Sequence, residues 1–175
     1  MKIIFLDIDG VLNSQNYFIK THKDNLIYHK VYDYQNVEQY QKLKVLYLDF
    51  EKLELLKKIV GETNCKIVVT SSWRNLRFWP LVEEYLINKG LPIIDVTPCL
   101  NGRGEEIRTY LKEHGEIENF IILDDERFRD FNELENYLVK TDFYGDGLTE
   151  EHVYDAIEIL NSKKEKKYTK SNYKY

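Results

Sequence analysis

Two apolar runs in this chain of 175 residues each end in a pair of carboxylates. Ile3-Ile4-Phe5-Leu6 runs into Asp7-Ile8-Asp9-Gly10, and Phe120-Ile121-Ile122-Leu123 runs into Asp124-Asp125-Glu126. A third run, Ile67-Val68-Val69, ends in Thr70-Ser71-Ser72-Trp73-Arg74. Clustered carboxylates repel and raise one another's pKa, so a divalent cation is the natural relief. All-oxygen carboxylate sites suit magnesium, which keeps several waters and often engages a phosphate. The Asp-x-Asp-Gly spacing suggests a division of labour. Asp7, at the strand end, is placed to be a carboxylate nucleophile close to the metal, and Asp9 to act as general acid and then base. Gly10 lets the backbone turn sharply without a Cβ. Thr70 or Ser71 can give a hydroxyl hydrogen bond to a phosphoryl oxygen, with free backbone amides at the following turn as further donors.

These residues need elements to position them. Short runs that are apolar throughout suit strands buried on both faces. The three above read so, as does Pro92 to Val96, with Leu138-Val139-Lys140-Thr141 a weaker fifth. Helical periodicity lies between them. Residues 50–60 place Leu53, Leu56, Ile59 and Val60 on one face behind Asp49 as N-cap. Residues 79–89 place Leu81, Val82, Tyr85 and Leu86 likewise, with Pro80 in the first turn and Gly90 as the stop. Residues 104–114 group Ile107, Tyr110 and Leu111, and Thr149 caps a last helix carrying Val153, Ala156, Ile157 and Leu160. Strands alternating with helices predict an α/β fold: a central parallel sheet with helices on both faces. Ligands of such open sheets bind beyond the carboxyl ends of the strands, where the acids and hydroxyls fall.

Ser14 to Lys44 breaks the pattern, being rich in Tyr, Asn, Gln, His and Lys with no sustained period. It reads as an insertion, a flap at about 14–48 that includes a short helix. The expected organisation is one catalytic core over 1–161 and a Lys/Tyr-rich tail over 162–175. The tail holds six lysines and one acid, a charge of +5, which leaves 19 basic and 29 acidic residues elsewhere, a body at −10. An acidic body is a poor non-specific nucleic-acid binder. Cys65 and Cys99 have no CxxC or Cys/His spacing, which argues against a disulfide scaffold or a zinc site. No segment approaches a membrane span or a signal peptide, so a cytoplasmic protein is expected.

The ordered set carries a resemblance. Phe5-Leu6-Asp7-Ile8-Asp9-Gly10-Val11-Leu12-Asn13 resembles the first motif of the haloacid dehalogenase (HAD) superfamily. Thr70 matches the second motif and Asp124-Asp125 the fourth, in the expected order over roughly residues 1–160. The resemblance implies a Rossmann-like three-layer core without a large cap, Mg²⁺, and an aspartyl-phosphate intermediate. Asp7 then attacks phosphorus, while Asp9 protonates the leaving oxygen and later activates water. By the family pattern the metal is bound by the Asp7 carboxylate, the Asp9 carbonyl and the Asp124 carboxylate, with Asp125 one layer further out. The second acid of the first motif disfavours dehalogenation, so a phosphatase or phosphotransferase is implied. The basic third motif departs from the common Lys-Pro form; Arg103 is the candidate and Arg74 the alternative. Ser71-Ser72-Trp73-Arg74, with Arg103-Gly104 and a late Thr141-Asp142, is similar to a narrower branch, the small HAD domains of Swiss army knife RNA-repair proteins. It resembles more loosely the phosphatase half of polynucleotide kinase-phosphatases.

Each signal has a plainer reading beside it. Asp-Gly is common in turns, Asp124 can cap a helix, and Thr70, Ser71 and Ser72 can cap the element that follows them. Trp73 can be core or rim packing or a platform that stacks a base or sugar beside Arg74, and Arg74 can equally pair with a neighbouring carboxylate. Ser71, Trp73 and Arg74 are accordingly the expected substrate-binding residues. A short insertion instead of a large cap favours a bulky phosphorylated substrate such as an RNA or DNA end, with a nucleotide or sugar phosphate as the alternative. The rival class is a non-catalytic module that binds phosphate or RNA; retention of every acidic motif argues against it.

Overall fold

The computed structural model describes residues 1–22 and 47–162. The strands are β1 (Lys2–Leu6), β2 (Lys66–Val69), β3 (Ile93–Val96), β4 (Asn119–Asp124) and β5 (Leu138–Lys140). The helices are α1 (Gln15–His22), α2 (Phe50–Thr63), α3 (Trp79–Asn88), α4 (Arg103–Glu113) and α5 (Glu150–Asn161). Short 3₁₀ turns cover Ser72–Asn75 and Asn132–Tyr137. The strands form one sheet in the order β3-β2-β1-β4-β5, and every pairing is parallel.

Alternation along β1 separates two cores. Ile4 and Leu6 pack with Leu53, Leu56 and Ile59 of α2, Val82 and Leu86 of α3, and Val153 and Ala156 of α5. Ile3 and Phe5 face the other way, onto Ile107 and Tyr110 of α4 and onto Phe131 and Leu134. Phe5 meets the rings of Tyr110 and Phe120 edge-on, each at 5.7 Å. Each such side chain, fully withdrawn from water, contributes roughly 1.5–3 kcal/mol. That is the three-layer sandwich expected of strands with apolar residues on both faces.

The helix ends follow their local chemistry. Asp49 accepts a hydrogen bond from the Glu51 amide (2.9 Å) and starts α2; Asn64, at φ +53°, ends it. Pro80 sits in the first turn of α3, and Gly90 follows that helix at φ +88°. At α5 the partner of Thr149 is an imidazole: the Thr149 amide donates to His152 Nδ1 (3.1 Å).

Of the anticipated insertion, Gln15–His22 is helical; the remainder of the flap through residue 46 and the tail from 163 onward lie outside the described residues. Among the described residues there is no cap domain, and no helix is long and apolar enough to cross a membrane. The winding fixes where a ligand must sit. The chain runs outward from β1 to β3, returns to β4 on the other side of β1, and continues to β5. The strand order therefore reverses between β1 and β4, and the crevice beyond their carboxyl ends is the binding position of such sheets.

Candidate active site

That crevice collects the acids. Asp7 follows β1 directly, and its amide continues the ladder by donating to Leu123 O (2.9 Å). The Thr70 amide donates to Leu6 O (2.8 Å) and the Thr141 amide to Asp124 O (3.0 Å), so these residues are held by sheet hydrogen bonds. After Asp7 the chain turns tightly, with the Val11 and Leu12 amides on Ile8 O (3.2 and 2.8 Å). Gly10 stands at φ +73°, and a Cβ there would lie 2.4 Å from Asp125 Cγ. The first motif therefore needs its glycine twice, for the left-handed backbone and for room for the fourth motif.

Arg103, the first residue of α4, ties the cluster together. Its Nη1 reaches Thr70 Oγ1 (2.8 Å), Asp124 Oδ2 (3.1 Å) and Asp7 Oδ1 (3.2 Å). Its guanidinium also lies 5.2 Å from the centre of the Phe128 ring. Glu106, one turn along α4, stands 3.9 Å from Arg103 Nε. Asp130 caps that helix from outside: its Oδ2 accepts from the Glu105 amide (2.9 Å), and its backbone and side chain fill the space beside Gly104.

The other arginine has a different task. Arg74, expected at the substrate or as the basic motif, instead turns into the protein, with its side chain 4% exposed. It pairs with Glu106 Oε1 (2.7 Å) and donates to the carbonyls of Thr70, Ser71 (2.8 Å) and Thr97 (3.2 Å). A guanidinium satisfied this way fastens the end of β2 to the start of α4 and has no donor left for a ligand. Ser71 is buried; its hydroxyl oxygen accepts from the Trp73 amide (3.4 Å), and the hydroxyl favours the charged form of the Asp7 carboxylate. It serves the Asp7 carboxylate and caps the turn at once. Trp73, read as packing or as a stacking platform, is 6% exposed, stands edge-on to Phe78 (5.6 Å), and donates its indole N–H to Asp9 Oδ2 (2.8 Å).

Asp7, Asp124 and Asp125 each offer a carboxylate oxygen within 4.8 Å of the other two. The Asp9 side chain stands apart from this group and is held by Trp73 and by Asn13 Nδ2 (2.8 Å). Burial pushes the Asp7 carboxyl up, against the pull of Arg103. Burial, then the Asp7 charge, raise Asp124 to about 8; the same two causes raise Asp125 to about 6. Three crowded, desolvated carboxylates with one arginine between them form a hard-oxygen donor set that fits magnesium.

A cavity of about 620 Å³ opens over these groups. Its floor is Asp7, Asp9, Arg103 and Asp124, and its walls include Phe18, Tyr47, Phe128, Phe143 and Tyr144. Phe143 and Tyr144 lie on the loop after β5, which is fastened to the start of α1 by the Gln15 amide on Phe143 O (2.7 Å). Tyr144 is 76% exposed at the rim.

The sequence alone offered the pairing of Arg74 with a neighbouring carboxylate as one of two readings, and it missed Glu106 as that partner, Asp130 and Asn13. An acid at the helical spacing of Glu106 looks like any solvated helix residue. Only the buried Arg74 beside it marks it as structural.

A comparison with curated proteins and one with solved structures returned no match. The profile of one protein family, described as the HAD domain in Swiss Army Knife RNA repair proteins, matches residues 3–153. That span holds both acidic motifs, Thr70 and Arg103 in the order that the folded site requires, and the chain belongs to this HAD domain family.

Proposed function

We propose that the protein is a Mg²⁺-dependent phosphomonoester hydrolase that works through an aspartyl phosphate on Asp7, with nucleic-acid termini as its substrates. One observation carries the reading: Asp7, at the end of the central strand, shares a single guanidinium with Thr70 and Asp124. A carboxylate so placed has cationic and hydroxyl donors converging beside it, which is what a phosphoryl group approaching it requires.

In the first step an Asp7 oxygen forms a bond to phosphorus as the bond to the ester oxygen breaks. Asp9 supplies the proton that the leaving oxygen takes up. In the second step Asp9, now a carboxylate, takes a proton from water, whose oxygen attacks phosphorus and releases Asp7 and inorganic phosphate. Arg103 and Thr70 hold the phosphoryl oxygens throughout. Asp7, Asp124 and Asp125, with the Asp9 carbonyl, would hold a magnesium ion, whose positive charge would offset the repulsion between carboxylates and phosphate.

Two features support a nucleic-acid end. The relatives described by the matching family are RNA repair proteins. Aromatic rings line the way into the site, and base–aromatic stacking is the sequence-tolerant means of holding a single strand.

The test is hydrolysis of p-nitrophenyl phosphate and of 3′- and 5′-phosphorylated oligonucleotides with Mg²⁺, wild type against Asp7→Asn. The expected outcome is turnover by the wild type and a loss of several orders of magnitude in the variant. Equal rates in the two proteins would refute Asp7 as nucleophile, and turnover of mononucleotides alone would refute the terminus reading.

A further inference from the structure

Asp9 is held at both ends of its carboxyl group. Asn13 Nδ2 donates to Oδ1 and Trp73 Nε1 donates to Oδ2, each at 2.8 Å. The two donors have different origins. Asn13 belongs to the same turn, and its own carbonyl oxygen accepts the Gly10 amide (3.0 Å), which leaves its amino end directed at Asp9. Trp73 comes from the turn after the neighbouring strand β2, 64 positions along the chain.

The tryptophan is rigid. Its ring is buried edge-on to Phe78 at 88°, and its backbone lies in the 3₁₀ turn capped by Ser71. The next residue, Arg74, is locked through Glu106 and the carbonyls around it. An indole N–H can only donate, so this contact fixes a carboxyl oxygen in space. Each carboxyl oxygen keeps a second lone-pair direction, and Asp9 and Trp73 both face the cavity.

We propose that Trp73 is the positioning residue for the proton-transfer step: its indole N–H sets the direction in which the Asp9 carboxyl faces the leaving oxygen. The proposal rests on the phosphomonoesterase reading above. In the step concerned, the ester oxygen leaves phosphorus as the Asp7–phosphorus bond forms, and it takes its proton from Asp9. The end of β2 then serves both halves of the reaction, Thr70 the phosphoryl group and Trp73 the proton.

A proton on the leaving oxygen matters in proportion to how poor a leaving group it is. Glycerol phosphate and nucleoside phosphates lose a basic alkoxide, whereas p-nitrophenyl phosphate loses a stable phenolate that needs no proton. Because kcat/KM reports only the steps through departure of that group, it isolates the acid role from the later use of Asp9 as base. Trp73→Phe keeps a ring against Phe78 and deletes the N–H. Its kcat/KM is expected to fall about tenfold or more for alkyl phosphates and far less for p-nitrophenyl phosphate. An equal fall for both esters, or none for either, overturns the proposal and leaves the phosphatase reading standing. A wild type that hydrolyses neither these esters nor a phosphorylated oligonucleotide overturns both.

A second measurement does not depend on how Trp73→Phe folds. The chain has two tryptophans, so its indole N–H resonances are two, and Trp79→Phe assigns them. In Asp9→Ala the Trp73 resonance is expected to shift upfield and exchange faster with solvent while that of Trp79 stays in place. An unmoved Trp73 resonance overturns the proposal.

Discussion

Arg103 Nη1 lies 3.2 Å from Asp7 Oδ1 although 96 positions separate the two residues. The cation reaches Asp7, the proposed nucleophile, because α4 begins where β1 ends, across the point at which the strand order reverses. Arg103→Ala, assayed with saturating Mg²⁺ to neutralise the Asp7 and Asp124 carboxylates it leaves behind, is therefore expected to lower kcat by about 10²–10³-fold with a smaller loss of melting temperature than Arg74→Ala. Arg74→Ala is expected to do the reverse. It strands the buried Glu106 carboxylate, and breaking such a pair from one side costs about 3–5 kcal/mol. Kinetics and thermal unfolding of the two variants separate the arginine that serves phosphate from the arginine that serves the fold.

Gly10→Ala brings two faults together. The new Cβ meets Asp125 Cγ at 2.4 Å, and the backbone at φ +73° disfavours any side chain. The expected result is a loss of more than about 1 kcal/mol in stability together with a weaker Mg²⁺ requirement curve, because Asp125 must move. Urea unfolding and the Mg²⁺ concentration for half-maximal activity measure the two effects.

The raised carboxyls make stability depend on pH when no magnesium is present. Asp124 moves from 3.8 to about 8 in the fold, and Asp125 from 3.8 to about 6. Folding thus favours their protonated forms. The stabilisation is complete below the unfolded value and is lost as pH rises through the folded values. In EDTA the melting temperature is expected to fall from about pH 5 to pH 8.5. Excess Mg²⁺ is expected to raise it little at the lower pH and most at the higher. A gap between the EDTA and Mg²⁺ curves that stays constant across this range would contradict the assignment of the acidic cluster.

Tyr144→Ala addresses the walls of the cavity and leaves its floor intact. Stacking of one base on an aromatic ring is worth about 1–3 kcal/mol. KM for a phosphorylated oligonucleotide is expected to rise about tenfold, while KM for glycerol phosphate stays as in the wild type. Steady-state kinetics on the two substrates provide the check.

Much of this was legible because the strands are buried on both faces. Ile3 to Leu6 and Phe120 to Leu123 contain no polar residue, so the point where polarity returns marks both the strand end and the site. The helices over 50–60, 79–89 and 104–114 appear as Phe50–Thr63, Trp79–Asn88 and Arg103–Glu113. Periodicity locates a buried face well and a terminus less well. α1 escaped a firm assignment because its exposed, aromatic and polar sequence offers no apolar stripe. Arg74 and Trp73 stayed open between an inward contact and a ligand for another reason. A polar group at a strand end looks alike whether it meets a ligand or another part of the chain, and only the meeting of β2 with α4 and with the first turn decides between them.

The Asp7 amide bonds to Leu123 O, and the Thr70 amide bonds to Leu6 O. Both hydrogen bonds join the central strands, so neither can open unless the middle of the sheet opens. Exchange of these amide protons with solvent then proceeds through unfolding of the whole domain rather than through local fraying. Asp7 and Thr70 thus belong to the slowest-exchanging part of the molecule. The moving parts of any catalytic cycle must lie elsewhere, in the side chains above the sheet and the loops that carry the aromatic wall.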